Sequence, residues 1–269
     1  MRYSNCRNRM YVIFIGILIS LHVMAAPDYD REARWASEIV PSLIVGEPIY
    51  LTQKNQHRFL GIYANQDKPR LGVVLVHGMG LHPDWGFIST LRQQLYDSGY
   101  TTLSIQMPVL AADAPYTAYP ALFPDAVERL QLAVAYLVHK GYKRIAIVSH
   151  SNGSRMTRVY MATNPSNVIA WASLSLTQGD SFDSIKAPIL DLYGEKDLPH
   201  VLSSVAKRKA SLLNPASRQQ YIRGADHFFT GHEGEVVTDV KDFLDRMLIA
   251  QLNRSYNGAM APLYCASWE

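Results

Sequence analysis

The sequence predicts an α/β fold in which a mostly parallel central sheet carries helices on both faces. Two observations support this prediction. Continuous apolar segments, such as residues 72–76 and 145–148, are typical of strands that are buried on both faces of a sheet. Amphipathic stretches, of which residues 123–140 are the clearest, separate these segments along the chain. Regular alternation of strands and helices favours parallel strands that are joined by helices.

The N-terminus has the composition of a secretory signal peptide. The apolar stretch at residues 10–23 is short for a membrane span, follows basic residues and precedes small residues that suit cleavage. An uncleaved membrane anchor is the alternative. We find neither an internal repeat nor a linker, so the chain is expected to comprise a signal peptide (1–26), one domain (27–252) and a mobile tail (253–269). The mature protein would be periplasmic or secreted.

Charge and cysteine content exclude several classes of protein. The chain has 26 basic and 23 acidic residues. Arg2, Arg7 and Arg9 account for the excess, so the mature chain would be neutral, and it has no long basic run that would bind nucleic acid. Cleavage would leave Cys265 as the only cysteine, which excludes an internal disulfide. No cluster of cysteines and histidines suggests a metal site, and no cofactor is expected.

The chain begins with an entry segment before the parallel part. Residues 28–44 have the pattern of a short amphipathic helix, which Pro41 interrupts. Two strand-like segments follow at residues 49–52 and 58–63. The polar residues between them predict an antiparallel hairpin.

The remaining elements alternate in type. Asp84 is positioned to cap a helix that ends at Gly99, and Pro124 suits the first turn of the helix at residues 123–140. Strands are predicted at residues 72–76, 101–105, 145–148, 168–174, 188–193 and 219–222. Further helices are predicted at residues 154–162, 201–213 and 236–249.

A serine lies where the strand at residues 145–148 gives way to a helix. The junction reads Ser149-His150-Ser151-Asn152-Gly153. Small residues flank Ser151, as a sharp strand-to-helix turn requires, because the backbone there is strained and closely packed. The pattern matches G-x-S-x-G, which presents a nucleophilic serine, except that Ser149 replaces the first glycine. A Ser-rich loop after a strand is the alternative interpretation.

Three further segments place reactive groups directly after predicted strands. They are the turn His77-Gly78-Met79-Gly80, the carboxylate of Asp197 and the imidazole of His227. The glycines of the turn would let backbone N–H groups face a ligand. Since ligands bind at the carboxyl ends of parallel strands, we expect these groups to meet Ser151 in one site.

The residue types suit acyl transfer. A serine hydroxyl is a weak nucleophile at neutral pH and needs an imidazole to take its proton. The imidazole in turn needs a carboxylate that holds its tautomer. We therefore expect Ser151, His227 and Asp197 to act together, with the N–H groups of Met79 and Asn152 stabilising an oxyanion. Taken singly, a helix cap for Asp197 and a surface position for His227 are alternatives.

At these motifs the chain resembles the α/β-hydrolase superfamily, in which the triad occurs in the order serine, acid, histidine. The resemblance extends over nearly all of the mature chain. Residues 80–85, 103–108, 190–194 and 224–228 more closely resemble an uncharacterised family of exported proteobacterial proteins with this fold. The resemblance implies an α/β-hydrolase fold and the roles of nucleophile for Ser151, base for His227, acid for Asp197 and oxyanion hole for Met79 and Asn152. It implies no substrate.

The substrate site is expected to be open or covered by loops. Residues 175–187, between two predicted strands, are too few for a large cap domain. The loop at residues 106–123 is the best candidate for a wall, where Tyr116 and Tyr119 would contact an apolar acyl or aromatic group. Exposed tyrosines of a plain surface loop are the alternative. Trp85 would line the mouth or pack on its own helix.

Other ionisable side chains are expected to have structural roles. They are expected to lie within the sheet (Asp191), to point away from the site (Asp226), to be exposed (His200 and His232), to line the pocket mouth (His82) or to pack behind the serine (His150).

The sequence therefore predicts an exported serine hydrolase that cleaves small carboxylic esters or thioesters through an acyl-enzyme on Ser151. An amidase or peptidase with the same triad is one alternative. A catalytically silent binding protein with this fold is another, because a fold does not determine a function. No nucleic-acid partner and no stable membrane span after cleavage are expected. The oligomeric state stays open.

Overall fold

The computed structural model describes residues 26–67, 71–178 and 181–259, and eight strands of this part form one sheet. The strands are β1 (Glu47–Thr52), β2 (Arg58–Ala64), β3 (Gly72–Val76), β4 (Thr101–Ile105), β5 (Ile145–His150), β6 (Val168–Leu174), β7 (Ile189–Gly194) and β8 (Arg218–Ile222). Their spatial order is β1-β2-β4-β3-β5-β6-β7-β8. The pairs β1–β2 and β2–β4 are antiparallel, and all other pairs are parallel.

The helices of the described residues connect successive strands or flank the sheet. They are α1 (Tyr29–Ile39), α2 (Gly86–Asp97), α3 (Phe123–His139), α4 (Asn152–Met161), α5 (Pro199–Leu202), α6 (Val205–Ala210) and α7 (Glu233–Ala259). Two 3-10 segments, Val40–Ser42 and Tyr116–Leu122, precede β1 and α3.

Alternate residues of the central strands enter two separate cores. Val74 belongs to a core that includes residues of α3 and α4, whereas Val73 belongs to a core that includes residues of α2 and α7. Side chains alternate between the faces of a strand, so the unbroken apolar sequence of β3 reflects burial of both faces. A third cluster packs Ile39 of α1 on Leu60 and Ile62 of β2. This arrangement confirms the predicted sheet with helices on both faces.

Two features that border the sheet also agree with the sequence. The entry hairpin is antiparallel, with Thr52 opposite Arg58. Residues 175–188 join β6 to β7, and the described residues of this link form no helix or strand. No large cap domain is therefore inserted after β6.

The start of α2 differs from the prediction. Trp85, not Asp84, occupies the N-cap position, and the helix begins at Gly86. The Asp84 carboxylate instead accepts hydrogen bonds from Ser89 Oγ at 2.7 Å and from Arg92 at 2.6 Å. Arg92 is almost fully buried, and a buried guanidinium requires a charged partner. The ion pair therefore takes the place of the expected cap.

Several other helix boundaries also differ. The first helix ends at Ile39, just before the turn that contains Pro41. The helix expected at residues 201–213 is divided into α5 and α6, and the Ser204 hydroxyl at the division donates to the carbonyl of Val201 at 3.0 Å. Such local bonds compete with helix continuation. The last helix extends to Ala259, into the segment expected to be a tail, because no proline or glycine interrupts residues 235–257.

The predicted signal peptide, apart from Ala26, lies outside the described residues, as do Cys6 and Cys265. Within the part of the chain that the structure describes, no helix combines the length and apolar character needed to cross a bilayer.

Candidate active site

The turn at Ser151 has the backbone that a nucleophilic serine requires. Ser151 lies between β5 and α4 with φ 57° and ψ −125°, a backbone conformation that residues other than glycine rarely adopt. Such strain costs about 1–3 kcal/mol and persists where the surrounding structure enforces it. Close packing does so here, because a Cβ added at Gly153 would lie 2.2 Å from the carbonyl oxygen of His77. The glycine at this position therefore allows α4 to pack against the end of β3.

Ser149 is accommodated by its own hydrogen bonds. Its hydroxyl accepts a hydrogen bond from Trp171 Nε1 at 2.8 Å and lies 3.0 Å from Ser154 Oγ. Ser154 in turn donates to the carbonyl of Ser149 at 2.8 Å. All three side chains are buried, and each of these polar groups has a partner. Replacement of the expected glycine by serine thus leaves the turn intact.

Ser151, His227 and Asp197 form one chain of hydrogen bonds. His227 Nε2 lies 2.9 Å from Ser151 Oγ, and His227 Nδ1 lies 2.6 Å from Asp197 Oδ1. Each of the three residues is buried, with between 5% and 8% of its surface exposed. They come from the ends of β5, β7 and β8, as the sequence predicted. This geometry lets the imidazole take a proton from the serine while the carboxylate holds its other nitrogen.

Asp197 is held as a carboxylate. Burial alone would raise its pKa, but hydrogen bonds from His227 and Ser175 outweigh burial and leave the pKa below its ordinary value. Ser175 Oγ donates to Oδ2 at 2.5 Å, and the N–H of Leu198 donates to Oδ1 at 2.7 Å. Ser175 was not identified from the sequence. Its position directly after β6, next to the end of β7, was the available signal.

His150 lies behind the serine, as expected, and supports His227. Its Nε2–H donates to the backbone carbonyl of His227 at 2.9 Å, and its ring lies 4.9 Å from the imidazole of His227. Phe87 and Phe229 pack on the same ring. Burial lowers the pKa of His150 to about 3, so this imidazole is neutral.

The turn after β3 packs directly against the serine. A Cβ at Gly78 would lie 3.2 Å from the Cβ of Ser151. His77 fixes the turn, because its Nδ1–H donates to the carbonyl of Gly78 at 2.8 Å and its Nε2 accepts the N–H of Met107 at 2.9 Å. Among the described residues, the N–H groups of Met79 and Asn152 have no hydrogen-bond partner.

Helix α1 holds the two loops that border the site. The guanidinium of Arg31 donates to the carbonyls of Leu110, at 2.8 Å, and Gly80, at 3.2 Å. The N–H of Asp28 donates to the carbonyl of Val109 at 2.7 Å. One side chain therefore ties the turn after β3 to the loop before α3. This role of Arg31 was not predicted from the sequence.

A cavity of about 280 Å³ opens beside Ser151. The described residues that line it are Gly78, Met79, Leu81, Tyr116, His150, Ser151, Thr177, Leu198, His200, His227 and Phe228. Tyr116 is thus in the predicted position. Sequence reasoning missed Leu81, Thr177, Leu198 and Phe228, which lie in loops without a periodic pattern.

Two predicted substrate-binding residues do not line this cavity. Tyr119 is buried in the core that α3 covers, and its hydroxyl accepts a long hydrogen bond from the N–H of Leu110 at 3.4 Å. Trp85 packs edge-on against Phe228, 5.3 Å away, so Phe228 is the residue that faces the cavity. Neither Tyr119 nor Trp85 is among the described residues of the cavity wall, so their contacts with substrate stay predictions.

Asp191 is not part of the triad. It is fully buried in β7, where Arg208 Nε donates to its carboxylate at 2.9 Å and Gln219 Nε2 at 2.7 Å. Asp226 accepts the N–H groups of Phe228 and Thr230, both at 3.0 Å, and so shapes the loop after β8.

The remaining histidines have separate surroundings. His232 is partly exposed and pairs with Glu235 at 2.8 Å. His82 lies against Trp35, with ring centroids 5.5 Å apart, and is not among the described residues of the cavity wall. His200 is exposed, as expected, but it borders the cavity.

No group of three or more metal-binding side chains occurs in residues 26–67, 71–178 and 181–259.

Comparisons with known proteins support the fold. A family model described as a protein of unknown function (DUF3530) matches residues 22–128, a range that includes the turn after β3 but ends before Ser151. No curated protein matches the chain.

Solved structures with a similar fold cover about three quarters of this chain. It is similar to dienelactone hydrolase from Anabaena variabilis, with 19% identity, a TM-score of 0.61, and coverage of 74% of this chain and 98% of that one. It is also similar to Est1E from Butyrivibrio proteoclasticus (15% identity, TM-score 0.60, coverage 75% and 99%). A third similar structure is the Pyrococcus furiosus esterase Pf2001 (16% identity, TM-score 0.62, coverage 74% and 90%). The chain therefore has the α/β-hydrolase fold.

Proposed function

We propose that this chain is an exported serine hydrolase that cleaves carboxylic esters or thioesters through an acyl-enzyme on Ser151. The observation that carries the proposal is the pair of hydrogen bonds that joins Ser151 Oγ to His227 at 2.9 Å and His227 to Asp197 at 2.6 Å. Similarity in fold to proteins named a dienelactone hydrolase and an esterase supports an ester bond as the target.

The first half of the reaction acylates the serine. Ser151 Oγ attacks the carbonyl carbon of the ester while His227 Nε2 accepts the hydroxyl proton. Negative charge develops on the carbonyl oxygen, and the N–H groups of Met79 and Asn152 are the donors positioned to stabilise it. The tetrahedral intermediate collapses, the bond to the leaving group breaks, and His227 returns its proton to the departing alcohol or thiol.

The second half releases the acid. Water attacks the acyl carbon while His227 accepts its proton, and collapse of the second tetrahedral intermediate regenerates Ser151 and frees the carboxylic acid. Asp197 stays ionised throughout, since the hydrogen bonds to its carboxylate keep its pKa low. It thereby stabilises the imidazolium that forms in each half.

The test is the intact mass of the exported protein after treatment with a fluorophosphonate, beside Ser151→Ala. We expect one adduct on the wild type and none on the variant, with similar thermal transitions in both proteins. The same mass should correspond to a chain that begins near Ala26 or Pro27. A folded wild type that forms no adduct would favour a catalytically silent binding protein. An adduct without turnover of esters would favour an amidase or peptidase with the same triad.

A further inference from the structure

The cavity beside Ser151 has a largely apolar wall whose described residues carry no carboxylate, ammonium or guanidinium group. Leu81, Leu198, Tyr116 and Phe228 supply its hydrophobic surface. None of the described residues that line it is an aspartate, glutamate, lysine or arginine. A charged group on a substrate would lose its hydration there without gaining a partner of opposite charge. The wall therefore favours an uncharged group.

Tyr116 is a wall residue that several side-chain contacts hold in place. Its hydroxyl lies 2.9 Å from Thr177 Oγ1 and accepts a hydrogen bond from Arg155, also at 2.9 Å. The guanidinium of Arg155 lies over the ring of Tyr116, 5.2 Å from its centre, and over that of Phe123, 5.1 Å away. Thr177 and Arg155 are both buried. These contacts fix the tyrosine ring although its loop lies at the surface.

The same contacts keep the charge of Arg155 out of the cavity. Arg155 contacts the hydroxyl and ring of Tyr116, yet it is not among the described residues that line the cavity. The phenol ring thus separates the guanidinium from any bound substrate. Tyr116 therefore forms part of the cavity wall and screens the cavity from the charge of Arg155.

We propose that Tyr116 is a specificity-determining residue and that the preferred ester carries a compact, uncharged, apolar group on one side of the scissile bond. This inference rests on the proposed function. The cavity has a volume of about 280 Å³ and is partly open to solvent, so it indicates the size of the group that can be buried in it. At about 30 Å³ for each water-sized unit, it holds a group of roughly nine non-hydrogen atoms. A hexanoyl or benzoyl group would fit, whereas a dodecanoyl group would exceed the space.

The experiment measures kcat/KM for two series of esters in wild type and variants. One series varies the acyl chain of p-nitrophenyl esters from butanoate through hexanoate to dodecanoate. The other varies the alcohol of acetate esters over the same lengths. In at least one series we expect the wild type to prefer the hexyl-sized member to the dodecyl-sized member. Tyr116→Ala should raise the ratio of the longest to the shortest substrate by about tenfold, the gain from burying about two more methylene groups.

Matched variants separate the role of the ring from that of the fold. Tyr116→Phe keeps the ring and should keep the preference for the hexyl-sized ester. Tyr50→Ala changes an exposed tyrosine of β1 and should leave the ratio unchanged. If Tyr116→Ala does not fold, Tyr116→Leu provides a smaller enlargement and should move the ratio in the same direction.

The outcomes distinguish failure of the inference from failure of the proposed function. Fluorophosphonate labelling of Ser151 is measured in every variant. Labelled proteins whose chain-length ratios are the same in wild type and Tyr116→Ala, in both series, would overturn the role of Tyr116 alone. A folded wild type that is not labelled would overturn the proposed function, and the inference with it.

Discussion

Two buried neutral histidines should make the fold sensitive to mild acid. His77 accepts the N–H of Met107 at Nε2, and protonation of that nitrogen would break this bond. His150 has no described partner at Nδ1, so protonation would add a buried N–H without an acceptor beside the imidazole of His227. Burial lowers the pKa of both histidines to about 3. The perturbation is a change from pH 7.5 to pH 5.0.

The sign and size of the effect follow from proton linkage. In the unfolded chain a histidine has a pKa near 6.5, so it binds a proton at pH 5.0, whereas His77 and His150 in the folded chain do not. Acid therefore favours unfolding. Stability is fully present above about pH 6.5 and declines as the pH falls towards 3. Between pH 7.5 and 5.0 each histidine lowers the free energy of unfolding by about 2 kcal/mol, and the pair by about 4 kcal/mol.

The assay is urea unfolding at both pH values, with the free energy of unfolding obtained by linear extrapolation. His150→Gln removes one titrating group and keeps an N–H that can reach the carbonyl of His227, so it should remove about 2 kcal/mol of the pH dependence. His139→Gln changes an exposed histidine of α3 and serves as the control. If His150→Gln and wild type lose the same free energy between the two pH values, the assignment of a neutral buried imidazole at this position is refuted.

Two further predictions concern activity. Asp197→Asn should reduce kcat by about 10⁴-fold, because the amide no longer stabilises the imidazolium. A comparable loss of kcat in Asp191→Asn, at unchanged stability, would show that Asp197 is not the acid of the triad. Arg31→Ala should reduce kcat between about 10-fold and 100-fold with little change in KM, because a shift of about 1 Å in the turn after β3 would misplace the Met79 N–H, which we propose as an oxyanion donor. Arg34→Ala, an exposed arginine of the same helix, is its control, and equal effects of the two changes would contradict the positioning role of Arg31.

The meeting of the three reactive residues could be predicted because the sheet topology forces it. Ser151, Asp197 and His227 each follow a strand that ends in a short loop. Parallel strands bring these ends to one edge of the sheet, so distance along the chain does not matter. The sequence showed most of the strands through their apolar runs, although β8 is largely polar, and the alternation of strands with helices indicated that the strands are parallel.

The pocket wall could not be predicted in the same way. Tyr116 and Tyr119 are three residues apart in one 3-10 segment, and both are aromatic. The wall residue is distinguished by contacts with Thr177 and Arg155, which come from two other parts of the chain. Loop sequences carry no periodicity that indicates which side chain such distant partners will hold. The sequence pattern therefore identified the loop that borders the cavity, but it did not distinguish Tyr116, which lines the cavity, from Tyr119.

Ser149 shows why a motif position is best judged with its neighbours in space. The register of the sheet places Ile147 opposite Trp171 and Ser149 opposite Ser173. Since residues two apart on a strand share a face, Trp171 and Ser149 lie diagonally on the same side of β5 and β6. The indole N–H then donates to the hydroxyl of Ser149 at 2.8 Å, and the hydroxyl of Ser154 is the second hydrogen-bond partner of the Ser149 hydroxyl. A glycine here would leave the buried indole N–H unpaired, at a cost of about 1–3 kcal/mol. In this chain serine is therefore the residue that suits the turn.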